Sequence, residues 1–266
     1  MTVNFSDYSV SRYRRPAAFA CLLLVLIWLS ARSTNVSLSE FIEGFGHGMD
    51  LLVEFFPPDW SAIGSMLYAA LITVAIALIA TPIGAMISFA FGLMAARNVS
   101  LPGLRQTART LIALERALPE IVILLFLAAA LGLGLYPGIL ALAIGSIGML
   151  GRLLADAIED IDERVIESVE LVGATRSQII RYAIIPEVLP SFVANTVFRF
   201  EINIRNSVLL GAVGVGGIGY ELNESISLMD YERATMAILV IIALVFLSER
   251  FSDIVRKKIA QLGEKL

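Results

Sequence analysis

Long apolar blocks separated by short charged runs dominate the chain, and their lengths predict helices that cross a bilayer. A hydrocarbon core of about 30 Å needs roughly 20 helical residues. Six candidate spans emerge: Ala17–Ala31, Ser61–Ala96, Ala108–Leu131, Pro137–Ala155, Leu189–Val213 and Ala234–Ser248. The second is too long for one plain crossing. Thr81-Pro82-Ile83-Gly84 interrupts it, so a kink or a projection beyond the membrane is expected. The first span has a short apolar core, Ala17–Leu29, preceded by Arg12, Arg14 and Arg15, which is also the layout of a secretory signal peptide. Leu29-Ser30-Ala31 is a poor cleavage site and Trp28 suits a membrane interface, so a retained span is expected.

Charge sorts by loop. Arg12, Arg14 and Arg15 precede the first span; Arg97, Arg105 and Arg109 follow the second. Arg152, Arg164, Arg176 and Arg181 lie between the fourth and fifth, and Arg250, Arg256, Lys257, Lys258 and Lys265 follow the sixth. The alternate loops carry Glu40, Glu43, Asp50, Glu54 and Asp59, then Glu221, Glu224, Asp230 and Glu232; only Arg32 and Arg233 break the pattern. Basic residues mark the cytoplasmic side, which predicts six spans with both termini in the cytoplasm. Composition agrees: 58% hydrophobic, 17% charged and a mean hydropathy of +0.81 place the chain in the bilayer class. One cysteine, Cys21, excludes disulfide frameworks and Cys-based metal sites within the chain and reads as a small packing residue.

Two loops look structured. Ser33–Asp59 is the longest outer connection, with Phe41, Leu51, Leu52, Phe55 and Phe56 making it amphipathic enough to lie along the outer interface. His47 within it has no metal-binding companion and reads as a solvated loop residue. On the cytoplasmic side, residues 161–172 have helical apolar spacing, with Val165, Ile166, Val169 and Val172 on one side. Gly173 follows where a helix stops and the chain reverses. Thr175-Arg176-Ser177-Gln178 reads as a capping box opening a second helix through about Ala183, with Pro186 and Pro190 beyond it. A short helix–turn–helix under the membrane suits docking into a partner's groove.

This loop resembles the cytoplasmic motif of bacterial ABC-importer permeases: Glu-Ala-Ala, three residues, Gly, nine residues, Ile-x-Leu-Pro. Glu167, Gly173 and Pro186 fall at that spacing, while Ser168 and Val169 replace the alanines, and Ala183 and Ile185 replace Ile and Leu. Arg116-Ala117-Leu118-Pro119-Glu120, residues 199–205 (Arg-Phe-Glu-Ile-Asn-Ile-Arg) and residues 208–219 resemble the phosphonate-type permeases, and the likeness runs from about Ala62 to the end of the sixth span. The resemblance implies an all-α, type I ABC importer permease of the bacterial inner membrane, working as a homodimer with two ATPase subunits and a periplasmic or lipid-anchored binding protein. It implies import of phosphonate, phosphite or phosphate by alternating access. ATP and Mg would sit on the partner, with no cofactor on this chain and no nucleic-acid partner. The coupling loop, about 156–188, would use Glu167, Gly173, Ala174, Arg176, Gln178 and Pro186. Organisation follows: 1–59 as tail, first span and outer connection, 60–256 as the permease core, 257–266 as a cytoplasmic tail.

Within the spans, Glu115, Arg116, Glu120, Arg199, Glu201, Asn203 and Arg205 are the polar outliers. A mid-bilayer charge costs about 2.5–3.5 kcal/mol, so such groups pair or face a wet cavity. Pairing one turn apart would join Arg116 to Glu120 and Glu201 to Arg205. The other reading lines a pathway with arginines that attract an oxyanion, and Arg199, with Asn203 rather than an acid at i+4, suits it best. Gly214, Gly216, Gly217 and Gly219 match G-x-G-x-x-G without the strand a dinucleotide site needs; an outer turn or gate fits better. Gly145, Gly148 and Gly151 suit close helix packing. No Lys follows any Gly, which excludes a nucleotide-binding loop. Three alternatives stay open: a permease for another small anion, a gradient-driven transporter in which Glu115, Glu120 and Glu201 relay protons, and a membrane-embedded enzyme.

Overall fold

The computed structural model describes residues 10–34 and 38–263. Lys265 and the rest of residues 264–266 lie outside the described residues, as do the side chains of Arg12, Arg14, Arg15, Glu40, Glu43, His47 and Asp50. Every regular element described is helical. The chain divides into two compact units, Met1–Phe56 and Pro57–Leu266.

The first unit holds α1 (Val10–Ser33) and α2 (Leu38–Glu54). The apolar residues of α1 from Phe19 to Leu29 are exposed, and Arg32 stacks over the Trp28 ring at 5.2 Å. Cys21 is a free thiol on the exposed surface of α1, not the packing residue expected. On α2, Ile42, Phe45, Met49, Leu52 and Val53 recur at three- and four-residue intervals and are exposed, the stripe of an amphipathic helix.

The second unit is built on α3 (Ile63–Ala95) and α6 (Leu135–Glu159). At 1.5 Å per residue, the 33 residues of α3 extend about 50 Å, well past a bilayer core. Pro82 lies inside α3 without ending it. Small residues bury one stripe of α3, among them Thr73, Ala77, Ala80, Gly84 and Ser88. This lets α6 approach until a Cβ on Gly84 would lie 2.7 Å from the Ala143 carbonyl oxygen.

The expected third span is broken. Instead of one helix over Ala108–Leu131, α4 (Pro102–Ala117) stops and α5 (Glu120–Leu131) starts anew. Leu118 is extended (φ −99°, ψ 127°) because a following proline disfavours the helical conformation, and Pro119 brings no N–H to continue the ladder. Both helices lie along α6.

After α6 comes α7 (Glu163–Glu170), capped by Asp162, which accepts the Arg164 N–H at 3.0 Å. Gly173 takes φ +80° as the chain reverses, and its N–H donates to the Glu170 carbonyl at 2.8 Å. The capping box forms: the Thr175 N–H donates to Gln178 Oε1 at 2.7 Å. The helix it opens, α8 (Arg176–Ile179), does not end near Ala183. It widens into a π turn (Ile180–Ile184) and runs on as α9 (Ile185–Leu210). The wider turn falls where Pro186 and Pro190 withhold N–H groups that a regular α-helix would use. A second π turn (Gly211–Val215) and Gly214, Gly216 and Gly217, all at positive φ, reverse the chain into α10 (Ile218–Ser227) and α11 (Tyr231–Gly263).

Three of these helices, spanning Trp60–Ala95, Leu135–Glu159 and Tyr231–Ile259, are long and apolar enough to cross a membrane. The polar side chains of α9 keep it out of that set.

Candidate functional site

Arg199, Asn203 and Asn206 stand at i, i+4 and i+7 on α9, so one helix face carries all three. That face meets the α4–α5 break, α6 and α3. The Arg199 guanidinium is buried and pairs with Glu120 at the start of α5, and its Nε donates to Ser146 Oγ at 3.0 Å. Asn206 Nδ2 donates to the other Glu120 oxygen at 2.6 Å. Asn203, fully buried, donates to Thr81 Oγ1 at 2.9 Å and to Ser146 Oγ at 3.3 Å. Four helices thus meet at one polar knot in an otherwise apolar layer.

The pairing differs from the local expectation. Arg116 does not pair with Glu120, because the break at Leu118-Pro119 destroys the one-turn relationship; Arg116 is exposed and makes no ion pair among the described residues. Arg199, expected to line the pathway because its own helix offers no acid one turn on, is the one that holds Glu120. Glu201 and Arg205 do pair one turn apart, with Glu201 buried and Arg205 about half exposed. Sequence reading missed Ser146, Thr81 and Asn206. The i, i+4, i+7 spacing of Arg199, Asn203 and Asn206 was the available signal for the last of these.

Gly145 and Gly148 explain how carboxylates fit against α6. A Cβ on Gly145 would sit 2.7 Å from Glu120 Oε1, and one on Gly148 would overlap the Glu115 carboxylate. These glycines are close-packing positions, as their spacing suggests, but what they admit is charged side chains. A Cβ on Gly151 would lie 3.3 Å from the Ile112 side chain of α4.

At the other exposed end, the reversal between α7 and α8 projects Leu171 and Val172, 87% and 82% exposed, beside Gly173. Val165, Ile166 and Val169 are half-buried beneath. Val172 lies past the end of α7 and does not share their face. Glu167, Arg176 and Gln178 are exposed, Ala174 is half-buried, and Pro186 is exposed in the first turn of α9. The Asp162 carboxyl titrates below its ordinary value because the Arg164 side chain and backbone both donate to it. At the far end of α9, Gly217 and Gly219 are buried, and the Ile218 N–H donates to Thr73 Oγ1 at 3.0 Å, tying the glycine turn to α3.

An all-helical core with three helices long and apolar enough to cross a membrane, joined by a broken helix and a buried charge knot, fits a polytopic membrane protein. A family model for the binding-protein-dependent transport system inner membrane component matches residues 88–261, and the chain belongs to that family. Its members are inner-membrane, multi-pass permease components and not the catalytic subunits of their transporters. The chain is 42% identical over 205 residues to the phosphate-import permease protein PhnE of Mycolicibacterium smegmatis, a match covering 76% of this chain but 38% of that relative's length. It is 38% identical to the phosphite transport system permease protein PtxC of Stutzerimonas stutzeri, over 77% of this chain and 74% of that one. It is also 31% identical to the putative phosphite permease HtxC of the same organism, over 93% and 88%. Among solved structures, an inward-facing MetNI methionine ABC transporter shares the fold, with a TM-score of 0.66 at 23% identity over 76% of this chain and 99% of that one. A bacterial alginate ABC transporter does so over 92% and 96%, with a TM-score of 0.59 at 16% identity.

Proposed function

We propose that this chain forms the translocation pathway of an ATP-driven importer for a phosphorus oxyanion: phosphonate, phosphite or phosphate. The observation that carries the substrate class is the likeness to permeases named for phosphate and phosphite, reaching 42% identity, and for one of them extending over 93% of the chain.

The reading assigns six crossings: α1, α3, the broken α4–α5 pair, α6, α9 and α11, with both termini cytoplasmic. Support comes from the basic residues of the turn after α3, of the α7–α8 reversal and of the last turns of α11, set against acidic Asp59, Glu224, Asp230 and Glu232 at the opposite ends. Two copies would face each other across the pathway. Two ATPase subunits would grip the α7–α8 reversal, whose bare Leu171 and Val172 suit a groove on a partner. Glu167, Gly173, Ala174, Arg176, Gln178 and Pro186 set the shape of that loop. A binding protein would deliver the anion from outside, where Gly214, Gly216, Gly217 and Gly219 form the outer turn or gate.

Among the pathway residues, Arg116 and Arg205 are the accessible cations, suited to transient contact with an oxyanion. Glu120, Arg199, Glu201 and Asn203 are largely buried and fix the helices that present them. Closure of the ATPase subunits on ATP would drive the paired loops inward and open the pathway outward; hydrolysis would reset it.

The test is reconstitution. The tagged chain should co-purify with an ATP-hydrolysing subunit, and vesicles holding both should take up labelled methylphosphonate or phosphite only with ATP and the binding protein. Gradient-driven uptake by the purified chain alone would refute the reading in favour of a secondary transporter.

A further inference from the structure

Glu159 is the last residue of α6 and the root of the α7–α8 loop. One of its oxygens accepts the Arg97 N–H at 2.8 Å and the Arg109 guanidinium, and the other accepts Arg97 Nε at 2.9 Å. Arg109, on α4, also donates Nε to the Ala95 carbonyl at 2.8 Å, closing the last turn of α3. Asn98 Nδ2 donates to the Ile158 carbonyl at 2.8 Å, closing the last turn of α6. Two helix ends and the middle of α4 are therefore fastened at one carboxylate. The same turn faces α7 across a cleft of about 660 Å³ lined by Arg97, Asn98, Glu159, Ile166 and Glu167, and a smaller cleft shares Asn98 and Ile166.

The chain joins the α7–α8 loop covalently to α6 and α9. No covalent neighbour links it to α4, yet α4 carries Arg116 and ends at the break. From Arg109 to Arg116 is two helical turns, about 10 Å along a rigid element. We propose that Glu159 is a positioning residue of the transport cycle: through Arg109 it makes α4, and so Arg116 and the α4–α5 break, follow the displacement of the α7–α8 loop. A bond to two arginines at 15% side-chain exposure, with both oxygens engaged, transmits force in a way that an exposed pair does not. Arg97 is the weaker arm because its side chain is 69% exposed.

This inference rests on the importer reading and deepens it. The experiment measures ATP hydrolysed per methylphosphonate delivered, in liposomes holding the full importer with its ATPase subunits and loaded binding protein. Glu159→Gln should raise that ratio by about fivefold, in the range of ordinary coupling free energies. Arg109→Gln should do the same, Arg109→Lys should recover most of the loss, and Arg97→Gln should stay within about twofold. A role confined to stability would lower the yield of complex and leave the ratio of the surviving complex unchanged. A wild-type ratio in both Glu159→Gln and Arg109→Gln overturns the proposal. Failure of the wild-type chain to transport any phosphorus oxyanion instead overturns the functional reading on which it stands.

Discussion

Glu120 and Arg199, 79 positions apart in sequence, form an ion pair buried at the point where one helix has just restarted and another passes at mid-length. Opposite charges in an apolar layer are stable only together, and each partner here is further engaged by Asn206 or Ser146. Removing one leaves the other without compensation. Glu120→Ala should therefore destabilise the folded chain by about 3–5 kcal/mol. Replacing both residues with apolar side chains of similar volume should cost much less. Thermal unfolding of the detergent-solubilised protein, compared across the two singles and the double, checks this directly.

Gly145 belongs to the same unit. Any side chain there enters the space of the Glu120 carboxylate. Gly145→Val should cost about 1–3 kcal/mol by overpacking. In a Glu120→Ala background the penalty should shrink, because the competing atoms are gone. Equal penalties in the two backgrounds would show that the glycine serves another contact.

At the reversal between α7 and α8, Gly173 has open space around it and a backbone that side chains seldom adopt. Strain, not a clash, governs its replacement. Gly173→Val should cost about 1–2 kcal/mol locally and remodel the loop tip. The protein should still insert into the membrane in normal amount while ATP-dependent uptake falls. Normal uptake by that variant would remove Gly173 from the coupling geometry.

Asp162 gives the loop a pH dependence of known sign. Its folded pKa lies below the ordinary 3.8, so its contribution is complete above that value and disappears as pH falls through the folded pKa. Protection of the α7 amides, measured against the intrinsic exchange rate at each pH, should thus fall on acidification below about 4. Asp162→Asn keeps a capping side chain without the titrating charge, and should flatten the profile.

Local rules were legible in the sequence wherever the partners were local. The capping box at Thr175 and Gln178, the reversal at Gly173 and the turn at Gly214–Gly217 each depend on residues within a few positions, and each formed as the residue chemistry required. The apolar blocks located the helices for the same reason. The break at Leu118-Pro119 was hidden by a composition that looked right for one uninterrupted span of 24 residues, although Pro119 itself was the warning. The partner of Arg199 was beyond any spacing rule. One-turn geometry nominates neighbours on a single helix, and this arginine's neighbour comes from another. Gly145 likewise gave no hint from sequence that the atom filling its space would be a carboxylate oxygen.

The two π turns bounding α9 have a consequence for register. Each holds one residue more per turn than an α-helix, so deleting one position from Ile180–Ile184 would regularise the helix without shortening the face formed by Arg199, Asn203 and Asn206. Everything before the deletion would keep nearly its present bearing around the α9 axis, because the wide turn already absorbs the extra residue. The same deletion in the regular stretch between Pro190 and Arg199 would swing it by about 100°, the rotation of a single helical step. In that second case the α7–α8 reversal would be aimed a quarter-turn or more away while the knot beneath it stayed fastened. A one-residue surplus, invisible in composition, thus acts as a slack turn that takes up a change of register without re-aiming the loop.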